Sequence, residues 1–544
     1  MKDSAPIPRG LTPSRYHAQS RHAFERYAPG PATLDWEQQP CPNRVYEGAA
    51  AVPLALGEPL PDLPFADLTW RGALAPAPLG LPSLGTLLRL ALGISAWKRL
   101  GEARWAVRCN PSSGNLHPVE CYAVQSGLPG LAAGLYHYEC ESHALERRCV
   151  YDTALAGALG KALPPGGLLL GLSLVPWREE WKYGLRAWRY CQLDLGHAIA
   201  ALDYAAACLG WRLRPVPGWD RVALARLLGL DRMQDFHPDE PEYPQALLLA
   251  RPAHGAVAST GIDPALFADL EGQAWSGRAN RLDPRHLYRW PDVDAMAQAS
   301  GPIEPRPSTP PDRPSPLPAP PQVGAAPVIL NRRSARGFDP RLAMDSGALY
   351  RILDACLERP GSPPWGALGR VPGIWMLIFV HRVRGLDPGL YLFAPSLDSV
   401  PGIKARLRGD LEWGRNPDCP PHLPFYRLVR ANARSVAGRL ACHQRIASDS
   451  SLALAMLGDL PADAPQSQYD GLLREAGALG QVLYLEAEAS GLGASGIGCF
   501  FDEPIRELLG LSDDALQTFY MFTLGPALGD PGATDEPAYP EPRG

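Results

Sequence analysis

LDLGHAIAALDYAAACLGWRLRP (residues 193–215) sets against REAGALGQVLYLEAEASGLGASG (residues 474–496) without a gap. Gly196 falls on Gly477, Gly210 on Gly491 and, further along, Gly229 on Gly510, all at one offset of 281. Three glycines in a single register are hard to obtain by chance, so the chain reads as two copies of one unit. Each copy predicts a long helix of small and apolar residues stopped by a glycine, then a loop, then a short helix ending in LLGL. Upstream, GLYHYECESHALE (134–146) and GLYLFAPSLDSV (389–400) match at a different offset, 255. Each follows an apolar run, ECYAV or WMLIFV, and reads as the second arm of a hairpin. Helices plus a few strands in each half predict an α+β fold, with a mainly antiparallel sheet sandwiched by helices in each copy.

With 544 residues there is room for two or more domains that each bury a core. A chain with 46% hydrophobic and 20% charged residues is globular in composition. The net charge of −5 and pI near 6.2 offer no basic footprint for nucleic acid or an anionic membrane, which leaves a small molecule or a peptide as the expected partner. The eleven cysteines show no C-x-x-C pair and no Cys/His spacing suited to zinc, so no metal site is expected and the thiols read as reduced. No run of eighteen apolar residues is present and MKDSAPIPRG lacks a signal core. A cytoplasmic location is expected.

Residues 301–328, GPIEPRPSTPPDRPSPLPAPPQVGAAPV, are dominated by proline and predict an extended spacer able to span roughly 80 Å. The expected organisation is an N-terminal arm (1–60), a first domain (61–300), this linker (301–328) and a second domain (329–544). The two halves differ where chemistry would be expected. NRRSARGF (331–338) opens the second half with three arginines and a serine, a pattern suited to gripping phosphate oxygens, although a solvated basic cap is the plainer alternative. The matching stretch of the first half, DLTWRGALAPAPL, holds no such cluster. Conversely PSSGN (111–115) of the first half falls on Gly366–Arg370, which has neither serine nor asparagine, and Lys182-Tyr183 falls on Asp463-Ala464. Each half keeps what the other lacks, as expected if two copies build one site between them.

The RRSxR entry, the PSSGNxxP turn, the KYxxRxxRY segment (182–190) and GLGxxGIGxF (491–500) together resemble the flavin-dependent nitroreductase superfamily in a tandem, fused form. More narrowly they resemble its SagB-type, thiazole/oxazole-forming dehydrogenase branch, as does the arm RYHAQSRHAFERYAPGPATLDWEQQPCPNRVYEG (15–48). The resemblance implies two nitroreductase-like domains packed as an intramolecular pseudo-dimer around flavin mononucleotide (FMN). It implies that Arg332, Arg333, Ser334 and Arg336 hold the phosphate, that Gly496, Ile497 and Gly498 run along the isoalloxazine, and that Pro111, Ser112, Ser113 and Asn115 reach in from the other half. Lys182 and Tyr183 take the catalytic places. Lysine could serve as a base only with a lowered pKa.

The implied function is oxidation of an azoline to an azole in a peptide-derived or small-molecule natural product, with biosynthetic partner proteins if the substrate is a modified peptide. The alternatives are an NAD(P)H-dependent nitro or quinone reductase and a flavin-binding or flavin-free scaffold. Among neighbouring residues, Arg186, Arg189 and Tyr190 read as the exposed face of one helix and His197 as a satisfied core histidine. His117 is expected to face away from the turn, Trp36 and Tyr46 to be packing anchors, and Cys499 to be a buried, inert thiol.

Overall fold

Strand alternation builds the two sheets. The computed structural model describes residues 10–56, 60–69, 74–253, 261–305, 313–314, 316–317, 323–511, 513–530 and 532–539. In the first half the main strands are β1 (Val119–Gln125), β2 (Gly134–Glu139), β3 (Ala144–Val150), β4 (Leu168–Leu174), β5 (Trp211–Pro215) and β6 (Tyr243–Pro252). In the second they are β7 (Trp375–Val380), β8 (Gly389–Phe393), β9 (Phe425–Arg430), β10 (Leu452–Asp459), β11 (Gly493–Ile497) and β12 (Leu516–Gly525). The first sheet runs β3-β2-β1-β4-β6-β5 and the second β9-β8-β7-β10-β12-β11, so the order repeats strand for strand, and every pairing within these two paths is antiparallel.

Both faces of each sheet are covered. Leu168, Leu170 and Leu172 of β4 enter a core shared by the two halves, while Leu169 between them faces an outer core with Leu224, Leu227 and Leu228 of the helix Arg221–Leu228. β10 repeats the pattern: Leu452, Leu454 and Met456 turn to the shared core, Ala453, Ala455 and Leu457 to an outer one beneath the helix Asp502–Leu509. The expected antiparallel sheets between helices are therefore present. One detail differs. The segments after the long helices, expected as loops, are the edge strands β5 and β11, held by β6 and β12.

The shared core is organised by α1 (Ala187–Cys208) and α2 (Gln466–Ala489), the two long repeated helices. They cross with almost no separation at the aligned glycines. A Cβ on Gly196 would lie 2.1 Å from the carbonyl oxygen of Arg474, and one on Gly477 would lie 2.0 Å from that of Leu193. Leu193 and Arg474 are themselves related by the 281 offset, so the contact is reciprocal, as in an interface between like surfaces.

Polar contacts reinforce the crossing. Asp502, in the second half, accepts from Arg189 Nη2 at 2.9 Å and from the backbone N–H of His22 at 3.1 Å, and pairs with Arg186 at 3.4 Å. Arg186, Arg189 and Tyr190 are buried, which corrects their expected exposure. They lie on the side of α1 and its lead-in that meets the second half, so helical spacing of charge here marks an interface.

Two further segments tie the halves. In the arm, Tyr16 donates from its hydroxyl to Leu185 O at 2.5 Å, and Ser14 donates to Ala462 O at 2.8 Å. The tail strand Thr534–Glu536 adds antiparallel to Ile94–Leu100, itself paired with Ala103–Arg108, so a strand of the second half completes a small sheet on the first. Residues 306–312, 315 and 318–322 of the proline-rich stretch lie outside the described residues. The end expected to be extended, from Ala325, is instead the start of a helix, Ala325–Asn331.

The glycine crossing gives a direct test. Gly477→Ala places a methyl carbon 2.0 Å from a backbone oxygen, far inside van der Waals contact distance, and should destabilise the protein by about 3 kcal/mol, the upper range for overpacking. Gly157→Ala, in the helix Thr153–Ala162 where a Cβ meets nothing within 4 Å, should stabilise by about 0.5–1 kcal/mol. Urea midpoints of the two variants should move in opposite directions.

Candidate functional site

The turn of residues 111–115 connects Ala103–Arg108 to β1. Gly114 (φ 62°) and Asn115 (φ 60°) take left-handed conformations, which explains those two residue types there. Asn115 Nδ2 donates to Ala106 O at 2.9 Å, and its Oδ1 pairs with His117 Nε2 at 3.1 Å. His117 thus braces the turn and does not face away from it. Ser112 Oγ donates to Asp194 at 2.5 Å, Ser113 Oγ at 3.0 Å and Ser113 N at 3.1 Å. Asp194 stands on α1 and is 2% exposed. Burial raises its carboxyl to about 7, against the three serine bonds, which favour the charged form.

The second half reaches this turn through Arg332. Its Nε donates to Cys109 O and its Nη2 to Arg108 O, both at 3.0 Å, so the guanidinium grips the backbone just ahead of Pro111. Arg332 is 3% exposed, its Nη1 has no hydrogen-bond partner, and no carboxylate among the described residues pairs with it. Its guanidinium is hydrogen-bonded only to neutral carbonyls and lies 5.0 Å from the Tyr484 ring centroid. Glu488 compensates its charge only through space, and burial lowers its pKa.

The neighbours of Arg332 are engaged otherwise. Arg333 donates to Ser95 Oγ at 3.0 Å and pairs with Asp535 at 3.5 Å, although its Nε lacks a hydrogen-bond partner. Arg336 pairs with Asp530 at 3.4 Å and lies 5.6 Å from the Trp105 ring centroid. Ser334 Oγ shares a hydrogen bond with Tyr484 Oη at 2.8 Å, and Tyr484 Oη also accepts from Gly496 N at 2.9 Å, so the serine and the glycine-rich strand β11 meet on one phenol.

Lys182 and Tyr183 end the helix Trp177–Tyr183 and face the turn from its other side. A Cβ on Gly114 would lie 2.7 Å from Tyr183 Oη and 3.1 Å from Lys182 Nζ. Lys182 Nζ sits 5.2 Å from the Trp36 ring centroid, and Trp36, expected as a packing anchor, is 61% exposed and covers the lysine edge of the site. Tyr46 is buried, as an anchor should be. Burial lowers the pKa of Lys182, with Glu179 opposing, and raises that of Tyr183 well above the usual phenol value. The Tyr183 ring lies 4.4 Å from that of Tyr190, whose hydroxyl donates to Gly498 O at 3.0 Å. The line from turn to glycine strand is therefore continuous across the halves.

Gly496 and Gly498 present bare backbone to aromatic side chains: a Cβ would lie 1.9 Å from Tyr520 Oη at Gly496 and 2.4 Å from Tyr190 Cε1 at Gly498. Ile497 between them packs into the outer core of the second half. His197 is buried and meets Tyr520 Oη and Gln481 Oε1, each at 3.3 Å; burial holds it at about 3, hence neutral.

The structure thus brings Pro111–Asn115, Arg332, Lys182 and Tyr183 into one neighbourhood, with Ser334 and Gly496–Gly498 joined through Tyr484 and Tyr190, and turns Arg333 and Arg336 toward the tail acids. Sequence reasoning missed Asp194, Tyr484, Tyr520, Asp530 and Asp535. The repeat register held a signal for the first. Asp194 plus 281 is Glu475, which accepts from Gly373 N at 2.8 Å and Ile374 N at 2.9 Å and so braces the chain ahead of β7 as Asp194 braces that ahead of β1.

Asp194 makes stability depend on pH. Its folded value, about 7, exceeds the roughly 4 of an unfolded aspartate, so the folded state holds the proton more tightly. Its contribution is greatest below about pH 4, declines as pH rises to about 7 and is flat above that. Urea unfolding of the wild type relative to Asp194→Asn should show this decline. A pH-independent difference would contradict it.

Residues 428–526 match the model of the nitroreductase family. A candidate nitroreductase of Methanocaldococcus jannaschii is 25% identical over 138 residues, which cover 25% of this chain and 66% of that protein, just under two thirds of its length. The crystal structure of a candidate nitroreductase from Anabaena variabilis superposes with a TM-score of 0.67 at 23% identity, covering 95% of this chain and 99% of that one. A candidate nitroreductase of Exiguobacterium sibiricum in complex with FMN matches 40% of this chain and 91% of its own, at 16% identity and a TM-score of 0.24. The family match is confined to residues 428–526 of the second half, and nearly the whole chain shares the fold of the Anabaena protein.

Proposed function

We propose that the chain is an FMN-dependent oxidoreductase with one composite site between two nitroreductase-like domains that pack as an intramolecular pseudo-dimer. The observation that carries the reading is Arg332, a buried cation from the second half that binds the backbone ahead of the first half's PSSGN turn and keeps one guanidinium nitrogen, Nη1, unpartnered. A phosphate oxygen is the acceptor such a group lacks. The donor set fits FMN at this end. Arg332 Nη1 and Ser334 would hold the phosphate, joined by Arg333 once its Nε leaves Asp535. Pro111, Ser112, Ser113 and Asn115 would lie at the ring edge, where the two serines would exchange Asp194, and Asn115 would exchange Ala106, for the flavin. Along Gly496–Gly498 a ring can lie flat only if Tyr520 and Tyr190 swing away from the glycines they touch.

The finer reading is a SagB-type dehydrogenase acting on a small-molecule or modified-peptide substrate. Converting an azoline to an azole removes a hydride and a proton; FMN, when bound, accepts the hydride. Lys182 Nζ takes the proton. Its half-buried place beside Gly114 disfavours the ammonium form, as a general base at neutral pH requires. Tyr183 keeps its proton and can orient the amine, while Trp36 shields the site edge from water.

The flavin-free scaffold draws on two specific features, the Tyr520 hydroxyl against Gly496 and the tail carboxylates on Arg333 and Arg336. Titration with FMN, followed by quenching of its fluorescence, separates the two. The enzyme reading expects saturable binding by the wild type, weakened by at least about tenfold, some 1.4 kcal/mol, in Arg332→Ala and less in Arg336→Ala. Lys182→Met should bind FMN as the wild type does and lose the pH-dependent limb of turnover. No binding by the wild type would favour the scaffold.

A further inference from the structure

Just beyond Gly498, the chain meets the turn between two short helices, Arg434–Leu440 and Arg445–Asp449. Two hydrogen bonds fix the meeting: Phe501 N donates to Leu440 O at 2.8 Å and Gln444 Nε2 donates to Cys499 O at 3.1 Å. Cys442 lies midway between those anchors, and its thiol meets that of Cys499 side chain to side chain. Cys442 and His443 take φ of 52° and 61°, two successive left-handed residues without glycine. Of the eleven cysteines, only Cys41, Cys442 and Cys499 are partly exposed.

The surroundings suit a thiolate at Cys499. His22 pairs through its backbone with Phe501, and its Nδ1 accepts from Ala28 N at 2.8 Å. That bond leaves the proton of the neutral imidazole on Nε2, the nitrogen free to donate to the Cys499 sulfur it meets. Arg186 Nη2 donates to Gly498 O at 2.8 Å, so a guanidinium lies one residue away. The titratable groups that act on the two thiols include His22, Tyr27, Arg186, Tyr183, Tyr190 and Asp502, and His443, next to Cys442 in the chain, packs on Phe501. Of these Asp502 is committed to Arg186 and Arg189. The thiol of Cys442, then His22 and Arg186, hold Cys499 below the ordinary thiol range despite burial, while the same pairing pushes Cys442 up. The thiol expected to be buried is partly exposed.

We propose that Cys442 and Cys499 form a thiol–disulfide exchange site for low-molecular-weight disulfides. The Cys499 thiolate attacks one sulfur of the disulfide, forming a mixed disulfide and releasing one thiolate. Cys442 then loses its proton and attacks the Cys499 sulfur, releasing the second thiolate and closing an internal Cys442–Cys499 bond. Two protein thiols are oxidised and one disulfide is reduced to two thiols. The step needs no flavin and stands apart from the function proposed above.

The test is to treat the full-length protein at neutral pH with oxidised glutathione and map its peptides by mass spectrometry. The expected result is a Cys442–Cys499 cross-link, with Cys442→Ser instead accumulating the glutathione adduct on Cys499. Cys499→Ser should prevent both. In the Cys442→Ser background, His22→Asn should slow adduct formation about tenfold at neutral pH, with the rate recovering as pH rises, since it would then follow an ordinary thiol titration. Cys41 is the internal reference. Reaction of Cys499 no faster than Cys41, or an adduct on wild-type Cys499 that never resolves into the cross-link, would overturn the proposal.

Discussion

The rest of the molecule depends on the crossing of α1 and α2. At Gly196 and Gly477 each helix sets backbone against the other's carbonyl oxygen, closer than any side chain allows. Such an approach fixes both the separation and the rotation of the helices. Everything on their flanks then meets at a defined distance: Asp194 with the serine turn, Arg189 and Arg186 with Asp502, Trp188 Nε1 with Asp470 at 2.9 Å. A methyl group at either glycine would spread the helices and loosen all of these at once.

Burying charge at such a junction is expensive unless each group finds its partner. Asp502 does, with two arginines and a backbone N–H. Asp194 does in part, through two serines, and its raised pKa reports the remainder. Arg332 has no carboxylate bonded to it, only two carbonyls, the Tyr484 ring and the more distant field of Glu488, and that shortfall points to the candidate site. Nearby, the tail carboxylates Asp530 and Asp535 bring counter-charge to Lys98, each at 3.0 Å, as well as to Arg333 and Arg336. The second half therefore supplies both the cationic entry and the acids that partly neutralise it.

The repeat was legible because glycines that permit backbone contact leave a fixed register in the sequence, and apolar alternation gave the hairpins. Other parts were not. Arg186 and Arg189 resemble a solvated face at helical spacing, and only the carboxylate brought by Asp502 from more than three hundred positions away makes them interior. Trp36 has the size of an anchor, yet its contacts are with Trp181 and Lys182 at the surface. Asp194 could have been found by following the register to Glu475. Tyr484 and Tyr520 could not, since nothing local distinguishes a phenol that bridges Ser334 to Gly496 from one that simply fills a core. Cys499 was expected to be buried, and only the fold, which sets the Cys442 turn and the His22 segment beside it, leaves it partly exposed.

The central claim is that two unequal halves build one flavin site between them. Its most direct measure is the number of FMN molecules per chain, counted from the visible spectrum and from flavin released by denaturation after saturation with FMN. The account predicts one, because only the junction of Arg332 with the Pro111–Asn115 turn holds both parts of the donor set. Two per chain would show that the other junction also binds and that the difference between the halves has another cause. None would contradict the flavin site itself.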